Sequence, residues 1–449
     1  MRNSKFIQIS FGILIVAVIS FFYILNGKSV TIDAIAAPDD KYKALDTFSQ
    51  ALGIVENAYV EPLEDKEIIY GAIKGMLEEL DPHSTFYNPK EYQSFQIGTK
   101  GSFGGLGITI SMRNNEMTVI APIEDTPAYR AGIKSGDVIV MIENESTEGM
   151  SLDEAVSKMR GEPGTKIKIT IVRKNEPLPI DYTIKRDVIK IKSVKSDMID
   201  NSIGYIRLTQ FQENSTDELT KALQNLDKKG AKGIIIDLRN NGGGLLTEAI
   251  GIASLFLPVD KSVVYTKDRS GKEHHYKTKR ITYRDNKRPI VVIVNGYSAS
   301  ASEILAGAVQ DYGRAIVLGE TTFGKASVQS IIEMADGSAM KLTTARYYTP
   351  KGRSIQGVGI VPDIEVGLGK IEYDDNVHVL KERDLSGHLV GENEKKETST
   401  KEVEKKAAPI SVEEEGKALN QILPDKTDLQ YSTAIQVLKG MMTYGKTTN

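Results

Sequence analysis

The chain has 449 residues, enough to bury a sizeable core in roughly two to four domains. Its 57 Lys and Arg against 60 Asp and Glu give a formal net charge of −3, so no nucleic-acid partner is expected. It has no cysteine, which excludes disulfides, thiolate nucleophiles and cysteine-based zinc sites, and its five histidines (His83, His274, His275, His378, His388) show no H-x-x-x-H spacing for a zinc hydrolase.

At the N-terminus Arg2 and Lys5 precede a mostly apolar run from Phe6 to Leu25. About 20 such residues span a bilayer as a helix. Basic residues before the run and a large polar remainder after it predict a cytoplasmic N-terminus with the bulk outside. Residues 1–30 therefore read as a signal anchor or signal peptide. The small-residue stretch Ala34–Ala36 fits a signal-peptidase site, but its distance from the run favours an uncleaved anchor.

Residues 40–96 read as a helical segment. Leu45, Phe48, Leu52, Val55 and Tyr59 recur at three- and four-residue steps, one face of a helix. "KEIIYGAIKGMLEEL" repeats the pattern and Asp81-Pro-His-Ser84 breaks it. Nothing in this segment reads as catalytic.

Residues 97–176 alternate short strands with a "TPAYRAG" turn, a "SGD" turn, the short helix "SLDEAVSKMRG" and the strand "TKIKITIVRK". The pattern resembles a PDZ domain, a β-rich peptide-binding module. Gly105-Leu106-Gly107-Ile108 matches its carboxylate loop. There, glycines let backbone N–H groups converge on an anion and the next strand edge pairs with an extended peptide. Residues 180–370 alternate continuous apolar strands with helices, which predicts an α/β layer around a buried sheet. Residues 381–410 are charged and read as a solvated linker, and 411–449 as a last helical segment.

Within the α/β part, "NGYSASASEILAGAVQDYG" sets Ser298, Ser300 and Ser302 between a buried strand and an amphipathic helix. Free N–H groups at a helix start favour negative charge, so a nucleophile there has a ready oxyanion site. Ser300-Ala-Ser-Glu303 is also an S-x-x-E capping box, and such caps are common where nucleophiles are rare. A triad histidine is not at hand, since His274 and His275 fall in the polar "SGKEHHYKTKR", which reads as a loop. A buried, neutral lysine can replace it. Lys325 is the candidate, and Gln329 would share its side of the following strand. Gly319 to Lys325 also fits the first seven positions of a P-loop. Ala326 stands where Ser or Thr should hold magnesium, and a strand rather than a helix follows, so a nucleotide site ranks below the lysine reading.

Taken together, "LDPHS" (80–84), the PDZ pattern, "DLRNNGGGLL" (237–246), "SASASEI" (298–304), "QD" (310–311), "GETTFGKASVQ" (319–329) and "RYYTPKGRSIQGVGIVPD" (346–363) are similar to the carboxyl-terminal processing proteases. These are PDZ-containing serine proteases of the S41 type with a Ser–Lys dyad. The resemblance covers roughly residues 42–367. It implies Ser300 as nucleophile, Lys325 as base 25 residues later, Gln329 as the residue accompanying the lysine, and Asp311 as an auxiliary aspartate. The oxyanion donors would be the N–H groups of Gly243 and Ala301, with Gly244 as the alternative. Gly105, Leu106, Gly107 and Ile108 would bind the substrate C-terminus, and Arg160 would couple it to the dyad. No metal or cofactor is implied. The substrates would be proteins or tails with free C-termini outside the inner membrane, on its periplasmic side, with an adaptor and a dimer through the terminal helical segments as further expectations. The alternatives are a catalytically silent membrane-anchored PDZ scaffold and a nucleotide-binding protein.

Overall fold

The structure is a computed structural model and describes residues 39–372 and 422–444. The apolar run at 6–25 and the charged stretch at 381–410 lie outside the described residues. Among the described residues no helix is long and apolar enough to cross a membrane.

The chain divides into two compact units, residues 1–72 and 73–449. In the first, α1 (Asp39–Ala58) carries the predicted stripe, and Leu45, Phe48 and Val55 on it are solvent-exposed. Helix α2 (Asp65–Glu78) starts in the first unit and ends in the second.

The second unit continues with β1 (Thr85–Tyr87) and α3 (Pro89–Lys100). A capping box starts α3: Glu91 N–H donates to Asn88 Oδ1 and Asn88 N–H to Glu91 Oε2, both at 2.9 Å. Gly101 at φ 64 ends it. Strand β2 (Ser102–Gly105) follows, then β3 (Ile108–Arg113), β4 (Glu116–Pro122), α4 (Pro127–Ala131), β5 (Val138–Ile142), β6 (Glu145–Ser146), α5 (Leu152–Met159), β7 (Lys166–Val172) and β8 (Ile180–Lys185). These strands form an antiparallel sheet in the order β3-β4-β5-β7-β8, with β6 on β5. The period-two pattern of "TKIKITIVRK" has its expected effect, because Ile167, Ile169 and Ile171 all enter the core beside Ile139, Ile142 and Ala155. Strand β9 (Asp187–Lys190) pairs with β2 and leads out of this module.

The remaining elements are β10 (Val194–Met198), β11 (Ile203–Leu208), α6 (Ser215–Lys228), β12 (Gly233–Asp237), α7 (Leu246–Ser254), β13 (Ser262–Asp268), β14 (Glu273–Lys277), β15 (Ile290–Val294), α8 (Ala301–Asp311), β16 (Ile316–Gly319), β17 (Ser327–Glu333), β18 (Ala339–Tyr348), β19 (Ile364–Glu365) and α9 (Leu429–Tyr444). One sheet runs β10-β11-β12-β15-β16-β19, parallel from β11 to β19. Strand β15, and β12 up to its terminal Asp237, are apolar because both faces are covered. Ile234, Ile236, Val292 and Val294 share a core with side chains of α6, α7 and α8. The alternate residues Ile235, Val291 and Ile293 share another with Tyr431, Ala434 and Leu438 of α9. A second, antiparallel sheet runs β1-β18-β13-β14, with β17 on β18.

Two expectations change here. His274 and His275 lie on β14 rather than in a loop, and their rings pack on Tyr276 and Tyr265. Helix α8 is buried on nearly every side, Ser302, Glu303 and Gly307 included, rather than along one stripe. It is packed against α7, β13 and β16.

Candidate active site

The carboxyl ends of β12, β15 and β16 carry three loops: "LRNNGGG", "NGYSAS" and "ETTFGKA". This is where an open parallel sheet presents ligands. Ser300 closes the second loop at φ 56 and ψ −113, directly before α8. A non-glycine residue held so costs about 1–3 kcal/mol and persists only where its surroundings impose it. Here they do. The Asn241 carbonyl accepts Ala299 N–H at 3.0 Å and Ser302 Oγ at 2.8 Å, bracketing the serine. Ser298 Oγ donates to the Leu238 carbonyl at 2.9 Å. Ser298 and Ser302 are both fully buried. Of the three serines, only Ser300 lines a cavity of about 480 Å³.

That cavity brings together Ser300, Ala301, Lys325 and Gln329, with Lys341, Tyr347 and an apolar wall of Phe211, Leu246, Ile304 and Val328. Burial holds the Lys325 amine below the usual lysine range, and the positive charge of Lys341 pushes it the same way; Asp81 and Glu303 oppose. Among the described residues no hydrogen bond joins Lys325 Nζ to Ser300 Oγ. Such bonds are commonly loose until substrate is bound. Gln329 donates its amide to Ser327 Oγ at 2.8 Å and Thr343 Oγ1 at 3.3 Å, not to Lys325.

The glycine turn differs from expectation. Gly243 packs so closely that a Cβ would sit 2.9 Å from both Ser300 Cβ and Ala301 N, and its φ is 99. Its N–H, however, donates to Asn241 Oδ1 at 2.9 Å and so is not offered to the cavity in this state. Gly244, at φ 143, lines the cavity instead. Asp311 is not brought to the site. It ends α8, about 16 Å along the helix from Ser300 at 1.5 Å per residue, and pairs with Arg353 Nη2 at 2.5 Å and Lys351 N–H at 2.8 Å.

Several residues of the site were not legible in the sequence. Glu303, read only as a cap partner, is fully buried and accepts four bonds: Ser300 N–H at 2.7 Å, Thr322 Oγ1 at 2.6 Å, Gly324 N–H at 2.7 Å and Lys325 N–H at 3.0 Å. Tyr347 places its hydroxyl against the carbonyls of Ser300 and Lys325. The "DPHS" turn flanks the lysine. Asp81 accepts Ser84 Oγ at 2.7 Å, and Ser84 Oγ accepts Thr343 N–H at 3.1 Å, on the strand beside Gln329. The available signal was the Asp81-Pro-His-Ser84 turn itself, where the helical pattern breaks.

In the antiparallel module a smaller groove of about 170 Å³ is lined by Gly105, Leu106, Gly107, Ile108, Val156 and Arg160. Strand β3 is an edge strand there. The Arg160 guanidinium lies 4.8 Å over the Phe103 ring, and its buried Nε has no hydrogen-bond partner among the described residues.

The near-P-loop is not built as one. After Ala326 comes β17, so the segment that follows the loop is a strand and not the helix a P-loop needs. Two of its N–H groups, of Gly324 and Lys325, are held by Glu303. Among the described residues no cluster of histidines and carboxylates can hold a metal ion.

The α/β core with its serine turn and the PDZ module together define a PDZ-containing serine peptidase. The family model for peptidase family S41 matches residues 202–366, that for a PDZ domain residues 118–173, and that for the N-terminal domain of the activating protease CtpB residues 25–91. The chain is 40% identical over 408 residues to the carboxy-terminal-processing protease of Bartonella bacilliformis, covering 90% of each. It is 36% identical over 390 residues to the carboxy-terminal processing protease CtpA of Bacillus subtilis, covering 85% of this chain and 83% of that one. The solved photosystem II D1 C-terminal processing protease is 30% identical, with a TM-score of 0.43 over 71% of this chain and 92% of that chain. The chain belongs to the carboxy-terminal processing proteases of peptidase family S41.

Proposed function

We propose that this serine peptidase works outside the cytoplasmic membrane, with Ser300 as nucleophile and Lys325 as general base. The observation that carries this reading is the shared cavity, in which a strained serine at a helix start meets a lysine whose charge burial disfavours. The neutral amine takes the Ser300 proton as Oγ attacks the scissile carbonyl. It then returns that proton to the leaving amine, and water hydrolyses the acyl-enzyme. The negative oxygen is received at the start of α8 by the Ala301 N–H and an amide of the glycine turn, Gly244 in the present arrangement or Gly243 after release from Asn241. Gln329 orients the amine once substrate closes the site.

The PDZ module holds a free C-terminus at Gly105–Ile108, and Arg160 relays its presence. The run at 6–25 anchors the chain in the inner membrane with the bulk on the periplasmic side. The exposed apolar stripe of α1 supports a dimer through the terminal segments. The working boundaries are 40–96 for the helical segment, 97–176 for the PDZ domain and 180–370 for the protease core.

Fluorophosphonate labelling and digestion of an unfolded protein test the assignment. Ser300→Ala and Lys325→Ala should each lose several orders of magnitude in rate, by analogy with catalytic triads, while Ser302→Ala stays much milder. Near-full activity of Lys325→Ala would remove the lysine from the mechanism.

A further inference from the structure

Helix α9 and the turn before it lie beyond all three family matches, which end at residue 366. They nevertheless reach the loop on which the serine turn is built. Arg239, 7% exposed, points two ways. Its Nε and Nη2 bind Asp237, at 3.1 and 2.7 Å, and its Nη1 binds Asp428 Oδ2 at 2.6 Å and Gln430 Oε1 at 3.3 Å. Asp237 is fully buried and also serves Tyr205 and Arg207, so it does not neutralise Arg239 alone. Two carboxylates balance two guanidinium groups only while Asp428 is in place.

What Arg239 holds leads directly to Ser300. Asn240 exchanges two hydrogen bonds with Asn295, at 3.0 and 2.8 Å. The Asn241 carbonyl takes Ala299 N–H and Ser302 Oγ on either side of the strained serine. We infer that Asp428, seconded by Gln430, is a positioning residue for Ser300: through Arg239 it fixes the 239–243 loop that imposes the serine's backbone conformation. The inference rests on Ser300 being the nucleophile. Without the Asp428 charge, Arg239 carries an uncompensated buried charge and turns toward water, and the loop follows it. Arg239 and Asp428 line neither the PDZ groove nor the cavity, so the loss falls mainly on kcat rather than on KM.

The test uses the full chain carrying Asp428→Asn. Asparagine still accepts the Tyr431 N–H that Asp428 Oδ1 takes at 3.0 Å, so α9 keeps its cap. The rate of fluorophosphonate labelling and kcat should both fall about ten- to a hundredfold, as for a displaced reacting group, with KM little changed. Arg239→Lys combined with Asp428→Asn should be non-additive. Leu438→Ala provides the control, because it loosens α9 packing without touching Arg239 and should lower the melting temperature while sparing the labelling rate. Labelling of Asp428→Asn at the wild-type rate overturns the inference, as does equal loss of labelling in Leu438→Ala. Labelling of Ser300→Ala would instead overturn the nucleophile assignment.

Discussion

Glu303 and Lys325 are joined through the backbone: the carboxylate accepts the lysine's N–H at 3.0 Å while it also accepts that of Ser300 at 2.7 Å. One buried side chain thus fixes the spacing between serine and lysine, which lie on different loops. Burial pushes the carboxyl upward in pKa, and its hydrogen bonds oppose. Three of its four donors are amides that cannot reverse. In Glu303→Gln an NH₂ group must face at least one of them. Each donor left unpaired costs about 1–3 kcal/mol. We expect a lowered melting temperature and loss of labelling at Ser300. Wild-type behaviour of Glu303→Gln in both would show that the brace is dispensable.

The pH dependence follows from the charges around Lys325. A base must be neutral, so kcat/KM should rise with pH through a lysine pKa held below its ordinary value by burial and by Lys341. Lys341→Met removes a like charge. The protonated form of Lys325 is then less disfavoured, its pKa rises, and the acid limb moves to higher pH. Asp81→Asn removes an opposing negative charge, so the limb moves to lower pH. Glu303 also acts on the amine, and His83, its pKa lowered by burial and by the Lys325 charge, lies within the same field; both are unchanged in the two variants. Shifts of the same sign in the two variants, or a flat wild-type profile from mildly acidic to alkaline pH, would count against a lysine base.

Strain at Ser300 gives a prediction about stability. At φ 56 and ψ −113, alanine is as strained as serine, whereas glycine is not. Both substitutions should abolish activity if Ser300 is the nucleophile. Ser300→Gly should nevertheless be the more stable of the two, by about 1 kcal/mol once the glycine's greater unfolded-state freedom offsets part of the relief. Denaturant midpoints of the two inactive variants decide it, and equal midpoints would mean that the turn is unstrained.

The parts of this fold that were legible in the sequence are those where local pattern and burial coincide. The unbroken apolar runs of β12 and β15 announced a sheet covered on both faces, and the alternation in β7 announced a one-sided one. Lys325 came forward as a candidate base because the histidines lay elsewhere, and its 25-residue interval from Ser300 is what the family resemblance implies. Asp81 was not legible, since its relation to Lys325 spans more than 240 residues and passes through the β1–β18 pairing. Glu303 was hidden by its own local role as a cap partner, a pattern that says nothing of Thr322 or Gly324. The resemblance implied the Gly243 N–H as an oxyanion donor, and no local pattern signals that this N–H donates to Asn241 Oδ1.

The Gly105–Ile108 loop of the PDZ module has its carbonyls fastened from behind. Leu106 O accepts Ala128 N–H at 2.9 Å and Gly107 O accepts Ile123 N–H at 2.8 Å. In a trans peptide the N–H points opposite the C=O, so the amides of Gly107 and Ile108 face the groove. Gly107 adopts φ 79, and a Cβ there would lie 2.3 Å from Thr126 Cβ, so this turn requires glycine. Two converging amides suit a carboxylate, and a charge-assisted hydrogen bond contributes roughly 1.5–3 kcal/mol. Amidating a substrate's C-terminus should therefore weaken binding about ten- to a hundredfold, at about 1.4 kcal/mol per tenfold, read as a higher KM. If Arg160 relays occupancy to the site, amidation also lowers kcat, and Arg160→Ala removes that second component alone. The comparison takes one peptide as free acid and as amide at fixed ionic strength, which matters because the interaction is partly electrostatic. Equal cleavage of both forms by the wild-type enzyme would mean that the groove takes peptides by strand pairing along the edge of β3, without regard to their terminal charge.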